Sequence, residues 1–434
     1  MLDDYLYEQN IQWQNRIFDS GIERDLLPDV IPLLEIDHAV ALSGVRRCGK
    51  SYLLKQIINH LLRIGVPPGN ILLANLELPE FFGRPAAGIL DEIWNTYLRL
   101  KNPEGRLYFF IDEVQTLPGW ETWVKYHYDQ KKGNLKFILT GSNSRLLSAE
   151  FATLLSGRVV EKKLFPFSFA EAVRLMGIGF RDTQEYVLNR NRILHAFDRY
   201  LSEGGMPETL SVEDREIRKE LITSYFTTAV YKDIVPRFSV RQSGFLKDLA
   251  LRLLGQTGQI VNLSRLASVF DSNRNTVKEF MSFLEMSFLI LFMEKFDYSA
   301  GKRQAALKKC YAVDNGFAAH IPLRFTPDTG ALFENLVAVE MYRRYGDVFY
   351  WRNNAEWDFL VSGPDGKPMA VQACYRLNEE NRRRESAGLK AGCDLLGIGS
   401  GLILTYDQSE EFDHLGMHVR VMPAHEWLLK EGAE

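Results

Sequence analysis

Cysteine is scarce in this chain. Four occur among 434 residues, at Cys48, Cys310, Cys374 and Cys393, and no two form a C-x-x-C pair. That scatter argues against a disulfide framework and against a zinc site, and it favours the cytoplasm. Long apolar runs are also missing. None approaches the roughly 18–20 residues that span a bilayer, so no membrane partner is expected. The start, Met1-Leu2-Asp3-Asp4-Tyr5, lacks the basic stretch of a secretory signal. Charge of one sign is not in excess: 52 Lys and Arg stand against 56 Asp and Glu, a net −4. The whole chain is therefore not a strongly basic nucleic-acid binder, although a basic face on part of it stays open. There is no internal repeat and no low-complexity tract. The remainder is ordinary globular composition, 46% hydrophobic and 25% charged, at a length that suits about three domains.

Against that plain background one motif stands out. Residues 44–51 read Gly44-Val45-Arg46-Arg47-Cys48-Gly49-Lys50-Ser51, a complete G-x-x-x-x-G-K-[ST] phosphate-binding loop. Its glycines let backbone N–H groups close around phosphate oxygens. Lys50 reaches the β and γ phosphates, and the Ser51 hydroxyl ligates Mg²⁺. Tyr52 follows directly and joins the nucleotide-contacting set. The apolar run 39–42 predicts a buried strand entering the loop. Leu53, Leu54, Ile57 and Ile58 recur at helical spacing, so the loop opens a helix whose positive end faces the phosphates.

A second strand, 107–111, ends in Asp112 and Glu113. An acid at such a tip sits beside the phosphate loop and holds Mg²⁺, the role expected of Asp112. Glu113 is expected to orient and deprotonate the attacking water. A third strand, 136–140, leads into Gly141-Ser142-Asn143-Ser144-Arg145. A polar group here would reach the γ-phosphate or the water, with Asn143 the first candidate and Ser142 the second. Arg158 precedes a further strand and reads either as an arginine finger, in cis or toward a neighbouring subunit of a homo-oligomer, or as half of a surface salt bridge.

Taken together, 41–51, 111–115 and 139–147 resemble a large group of prokaryotic AAA-superfamily ATPases. The likeness continues through Gly204-Gly205-Met206-Pro207-Glu208, 230–234, Val313-Asp314-Asn315-Gly316 and 330–335. It extends to Tyr350-Trp351-Arg352 and Glu356-Trp357-Asp358-Phe359. It implies an α/β P-loop core, ATP and Mg²⁺ as cofactors, and a C-terminal domain of the PD-(D/E)xK nuclease type.

The organisation expected is an N-terminal arm and AAA-type core over 1–165, a parallel sheet with helices on both faces. A helical lid covers 166–238, a winged-helix domain 239–311, and a restriction-endonuclease-like α/β domain 312–434. In the third segment, 263–267 begins a short helix, 271–273 a turn and 276–284 a second helix. A strand at 288–292 and a basic hairpin tip at 299–303 follow, which is winged-helix order. If this element meets DNA, Asn273, Arg274, Asn275 and Lys278 face the duplex, and Lys302 and Arg303 meet phosphates. Winged helices equally serve as protein-binding modules, so a protein partner remains an alternative.

In the nuclease fold that the resemblance implies, a helix Glu, a strand Asp and an acid-x-Lys on the next strand hold metal and steady the hydroxide. Glu334 fits the helix acid and Asp358 the strand acid. Where the acid-x-Lys belongs, this chain has Gln372 and Cys374. Neither supplies the missing charge, and Lys367 or Arg376 would have to migrate. The expectation is a retained fold with the cleavage chemistry lost. The leading function is a Mg²⁺-dependent ATPase coupling hydrolysis to domain movement on nucleic acid such as branched or duplex DNA. A nucleotide-dependent protein switch is the alternative, and an ATP-dependent nuclease the second.

Overall fold

A computed structural model describes residues 2–81, 83–142, 157–180, 182–322, 328–353, 355–363 and 365–430. The chain divides into two compact units, 1–165 with 286–288, and 166–285 with 289–434. The first holds, among the described residues, a five-stranded sheet. Its strands are β1 (Ala39–Ser43), β2 (Ile71–Asn75), β3 (Leu107–Asp112), β4 (Leu135–Gly141) and β5 (Val159–Lys163). Their spatial order is β2-β3-β4-β1-β5 and every pair is parallel. Helices Lys50–Arg63, Ala86–Lys101 and Trp120–Gln130 intervene. β1, β3 and β4 are buried along their whole length, which is why the sequence shows them as unbroken apolar runs. Parallel strands end on one edge, so the tips at Ser43, Asp112 and Gly141 gather there.

Aromatic packing fixes the core of this unit. Phe109 stacks on Trp94 with ring centroids 5.9 Å apart and meets Trp123 edge-on at 6.0 Å. Each such side chain contributes about 1.5–3 kcal/mol of burial. β2 is an edge strand, and the N-terminal arm covers it. After the helix Leu2–Gln9, Asn10 donates to the Leu73 carbonyl at 2.9 Å and accepts from the Leu73 N–H at 2.7 Å. A single amide side chain thus imitates a neighbouring strand and closes an otherwise sticky edge.

The second unit begins with helices Phe169–Leu175, Thr183–Glu203 and Arg215–Thr228. Ser168 and Glu171 form a reciprocal capping box at the first. Further helices span Ser243–Leu254, Leu263–Val269 and Arg274–Met286. Then come β6 (Ile290–Lys295) and β7 (Lys309–Ala312), the helix Thr329–Tyr345, β8 (Phe349–Arg352), β9 (Glu356–Ser362) and β10 (Pro368–Ala373). The helix Glu379–Leu396, β11 (Ser400–Thr405), β12 (Glu410–His414) and β13 (Met417–Pro423) follow. Among the described residues these strands form one eight-stranded sheet, β12-β13-β11-β10-β9-β8-β6-β7.

Two sequence expectations are corrected here. The basic segment 299–303 is not a hairpin tip but lies at the start of a short helix, Ala300–Ala305. The β6–β7 hairpin is also not a free wing. β6 pairs with β8 in parallel, Glu294 opposite Phe349 and Lys295 opposite Tyr350. A division at 311/312 therefore cuts one continuous sheet. Local periodicity identifies strands but says nothing of a partner more than fifty residues away.

The Gly204-Gly205 and Asp314-Asn315-Gly316 motifs meet in this unit. Asp314 accepts from the N–H groups of Gly205 (2.6 Å) and Gly316 (2.9 Å). Gly204 has φ +82, and a Cβ on it would overlap the Asp314 carboxylate. Asn315 donates to the carbonyls of Leu201 and Leu332 and accepts from Asn335. These residues satisfy a buried polar junction rather than a ligand site.

Candidate functional site

The loop 44–51 joins β1 to the helix Lys50–Arg63, with Gly49 in the left-handed region at its start. Gly44 is required sterically, since a Cβ there would overlap the Leu164 carbonyl. Arg24 braces the loop from the arm. Its guanidinium donates to the carbonyls of Cys48 (2.6 Å) and Phe165 (2.8 Å). Arg46 pairs with Glu77 at 2.8 Å. Val45 and Cys48 are buried, Arg47 is exposed with φ +69, and Tyr52 is half exposed. Burial pushes the Cys48 thiol up, against the pull of Lys50 and Arg24.

Lys50 is 4% exposed. Its ammonium donates to the carbonyls of Gly44 (3.1 Å) and Val45 (3.3 Å) and pairs with Glu113 Oε1 at 3.4 Å. Burial alone would lower its pKa, but Glu113, Cys48 and Asp112 raise it, so the charge is kept. Ser51 Oγ donates to Asp112 Oδ2 at 2.6 Å, and Thr140 Oγ1 donates to Asp112 Oδ1. Burial, and then the charge of Glu113, hold the Asp112 carboxyl above the usual carboxylate range. Glu113 is different. Burial pushes it up, but Lys50, a hydrogen bond from Gln115 and the charge of Arg46 overcome that and hold it low. The two adjacent acids thus differ, Glu113 held low by its cation and amide donor and Asp112 held high by burial.

The strand-tip expectations fare differently. Asn143 lies outside the described residues. Ser142 is buried and accepts from Gln115 Nε2 at 3.2 Å. Arg158 is paired with Asp129 and lies 5.7 Å from the Tyr128 ring. A finger role would first have to break that pair.

In the second unit, Glu334 on the helix Thr329–Tyr345 and Asp358 on β9 converge, and a lysine sits between them. Lys309 Nζ lies 3.2 Å from Glu334 Oε1, 3.2 Å from Asp358 Oδ1 and 2.8 Å from Glu356 Oε1. Tyr311 also donates to Glu334, at 2.7 Å. The expectation that no cation faces these acids is thus corrected. It comes from β7, not from the strand of Gln372 and Cys374. Gln372 accepts from the Asp358 N–H (3.2 Å) and donates to Glu385 (2.8 Å). Cys374 packs in a hydrophobic cluster, where burial and then the charge of Glu385 push its thiol up to about 11. Lys367 is exposed and paired with Asp365, and Arg376 is exposed, so neither migrates into the cluster. Burial and then Asp358 raise Glu334 to about 7, with Lys309 and Tyr311 pulling the other way. Lys309 itself is held well above the ordinary lysine value, because Asp358, Glu334 and Glu356 outweigh its burial.

Of the proposed DNA-facing residues, Asn273, Arg274, Asn275 and Lys278 are exposed around the start of the helix Arg274–Met286. Asn273 spends its Oδ1 capping that helix at the Thr276 N–H, 2.9 Å. Lys302 is exposed. Arg303 is partly covered, donating to the Asp297 carbonyl at 2.9 Å and lying 5.8 Å from the Phe349 ring.

Residues 37–173 match a family model described as an AAA domain. Residues 194–329 match a domain of unknown function. An uncharacterized protein of Methanocaldococcus jannaschii is 28% identical over 436 residues, 95% of this chain and 91% of its own length. An uncharacterized protein of Haemophilus influenzae is 29% identical, covering 83% of this chain and 88% of its own. Among solved structures, the Aeropyrum pernix ORC1 protein in complex with DNA is similar at TM-score 0.32 and 13% identity, over 73% of this chain and 94% of its own. An ADP complex of S. cerevisiae Hsp104 reaches TM-score 0.36 at 17% identity, over 62% and 52%.

Several residues around the 44–51 loop carry no signal in the sequence. Arg24, Thr140 and Gln115 hold the loop, Asp112 and Glu113 respectively. Gln115 was visible two positions after Glu113, but nothing in its spacing announces a hydrogen bond. Lys309, Tyr311, Glu356 and Glu385 were missed in the second unit. There a signal existed. Lys309 and Tyr311 alternate on one strand face, as do Glu356 and Asp358.

Proposed function

We propose that this protein is a Mg²⁺-dependent ATPase acting at the 44–51 loop. The observation that carries the reading is the set of buried Lys50, Asp112 and Glu113 with exposed Ser51, brought together at the ends of β1 and β3. The residues suit a cation. Ser51 Oγ and Asp112 Oδ2 are hard oxygen donors 2.6 Å apart, and Asp112 is a buried carboxylate without a direct lysine contact among the described residues. Bound Mg²⁺ would neutralise phosphate charge there. Lys50, drawn toward the phosphates, leaves Glu113 to accept a proton from water.

The coupled substrate we propose is nucleic acid, supported by the helix–turn–helix order and by exposed Arg274 and Lys278. The tying of Arg303 to Asp297 and the closure of the hairpin into a sheet favour the second reading, a nucleotide-dependent protein switch. Nuclease action is the least favoured, because Lys309 already neutralises the acids that would hold metal. The deciding experiment measures ATP turnover with Mg²⁺, with and without duplex, forked and single-stranded nucleic acids. Turnover lost in Lys50→Ala supports the ATPase, and stimulation by DNA supports the nucleic-acid reading. If DNA binds, Ala at Arg274, Lys278 and Lys302 should lower the slope of log K against log[salt] by about 0.9 per lost contact. Unchanged affinity and slope favour the protein switch. Metal-dependent cleavage that disappears in Asp358→Ala would revive the nuclease.

A further inference from the structure

We propose that Gln115 is a positioning residue for Glu113, and that its amide, anchored on Ser142, fixes the direction from which the carboxylate meets water. The proposal rests on the ATPase reading of the same site.

Glu113 is held in an unusual way. Its backbone is left-handed, φ +54, a conformation that a glutamate adopts at a cost. Thr140 Oγ1 fixes its N–H at 2.9 Å. The turn after it is pinned by Thr116, whose hydroxyl donates to the carbonyls of Glu113 (2.9 Å) and Leu76 (3.2 Å). The side chain is then gripped at both oxygens. Oε1 faces Lys50 at 3.4 Å, and Oε2 accepts from Gln115 Nε2.

The two grips have different fates. Lys50 is the group that phosphates recruit, so its hold on Glu113 is the one surrendered when nucleotide binds. Gln115 has no such competing call. Its second Nε2 proton goes to Ser142 Oγ at 3.2 Å, just beyond the tip of β4. Its Oε1, although buried, accepts nothing from the described residues. A buried acceptor without a partner is normally selected against. The amide is therefore kept for its donor, and an oxygen turned toward the Glu113 carboxylate would be repelled. A line of hydrogen bonds thus runs from the γ-phosphate edge of the sheet, through Ser142 and Gln115, to the proton acceptor.

The test compares Gln115→Ala with Gln115→Met, which fills a similar space, cannot donate and adds no titratable group. Turnover and the Kd of a fluorescent ATP analogue with Mg²⁺ are read on each. We expect kcat to fall about tenfold to a hundredfold in both, less than for removal of the base itself, with Kd within about twofold of wild type. Added to Glu113→Gln, either change should cost less than about twofold more, because both act through one carboxylate. In Gln115→Ala the acid limb of the kcat–pH profile should move to higher pH, since a donor to the ionised form is gone. Wild-type kcat in Gln115→Met, or losses that multiply with Glu113→Gln, would overturn the proposal while leaving the ATPase reading intact. Absence of turnover in the wild type itself would remove both.

Discussion

Each unit of this molecule buries a lysine among carboxylates, and the two sites are opposite in design. Lys50 meets one carboxylate at 3.4 Å and two loop carbonyls. Lys309 meets three carboxylates, each within 3.2 Å. The nearby glutamates record the difference. Glu113 has a lysine, an amide donor and the charge of Arg46 in its favour, and it is held below the ordinary range despite burial. Glu334 shares its lysine with Asp358 and Glu356, and burial together with Asp358 raises it to about 7. One site keeps a strong anion under a cation that serves one carboxylate. The other is a saturated cluster in which the cation has nowhere better to go.

The largest effect should come from removing the Lys50 cation. Lys50→Ala is expected to abolish productive nucleotide binding and turnover, as measured by titration and phosphate release. It should cost less stability than Lys309→Met, because one buried carboxylate rather than two loses its cation. Lys309→Met should do the reverse. It leaves Glu334 and Asp358 without a cation, Glu356 keeping Arg352 at 3.4 Å, and should destabilise the second unit by about 3–5 kcal/mol in urea unfolding, while nucleotide affinity stays within a few-fold. Combining it with Glu334→Gln and Asp358→Asn should recover part of that loss, since only Glu356, paired with Arg352, then keeps a charge. A Lys309→Met protein with wild-type stability would break the comparison.

A smaller effect is carried by pH. Unfolded, Glu334 titrates near 4.5, and folded near 7. Between those values the folded chain holds a proton that the unfolded chain has released. The contribution of Glu334 to stability is therefore full below about 4.5 and is lost as the pH rises through about 7. Glu113 has the opposite sign, its contribution present above the unfolded value and lost as the pH falls through its depressed one. Glu334→Gln should flatten the fall in unfolding free energy between pH 4.5 and 7 by about 1–3 kcal/mol. An unchanged slope would show that Lys309 already holds Glu334 ionised.

The two sites also differed in how readable they were. The nucleotide site is local. A strand, a glycine-rich turn and a helix fall within 39–63, and each acid marks the end of an apolar run. Gly44, Lys50, Ser51, Asp112 and Glu113 could therefore be picked out from spacing alone. The saturated cluster is built by topology. β7 reaches Asp358 only because β6 pairs with β8, and that pairing depends on residues far apart in the chain. Local spacing therefore cannot place Lys309 against Asp358. The segment 299–303 failed on local grounds instead. Ser-Ala-Gly-Lys-Arg is turn chemistry, but with Gln304 and Ala305 it completes a helical turn. Gln115 needed the third dimension, since its two partners lie on different strand ends.

The most direct test is ATP turnover by Glu113→Gln, with nucleotide binding measured on the same preparation. On the proposed ATPase reading nucleotide recruits Lys50 away from Glu113, so the amide replacement should bind ATP and Mg²⁺ about as well as wild type. Turnover should be about 10²–10⁴-fold slower. Hydrolysis at the wild-type rate would contradict the assignment and return Glu113 to the role of a strand terminator.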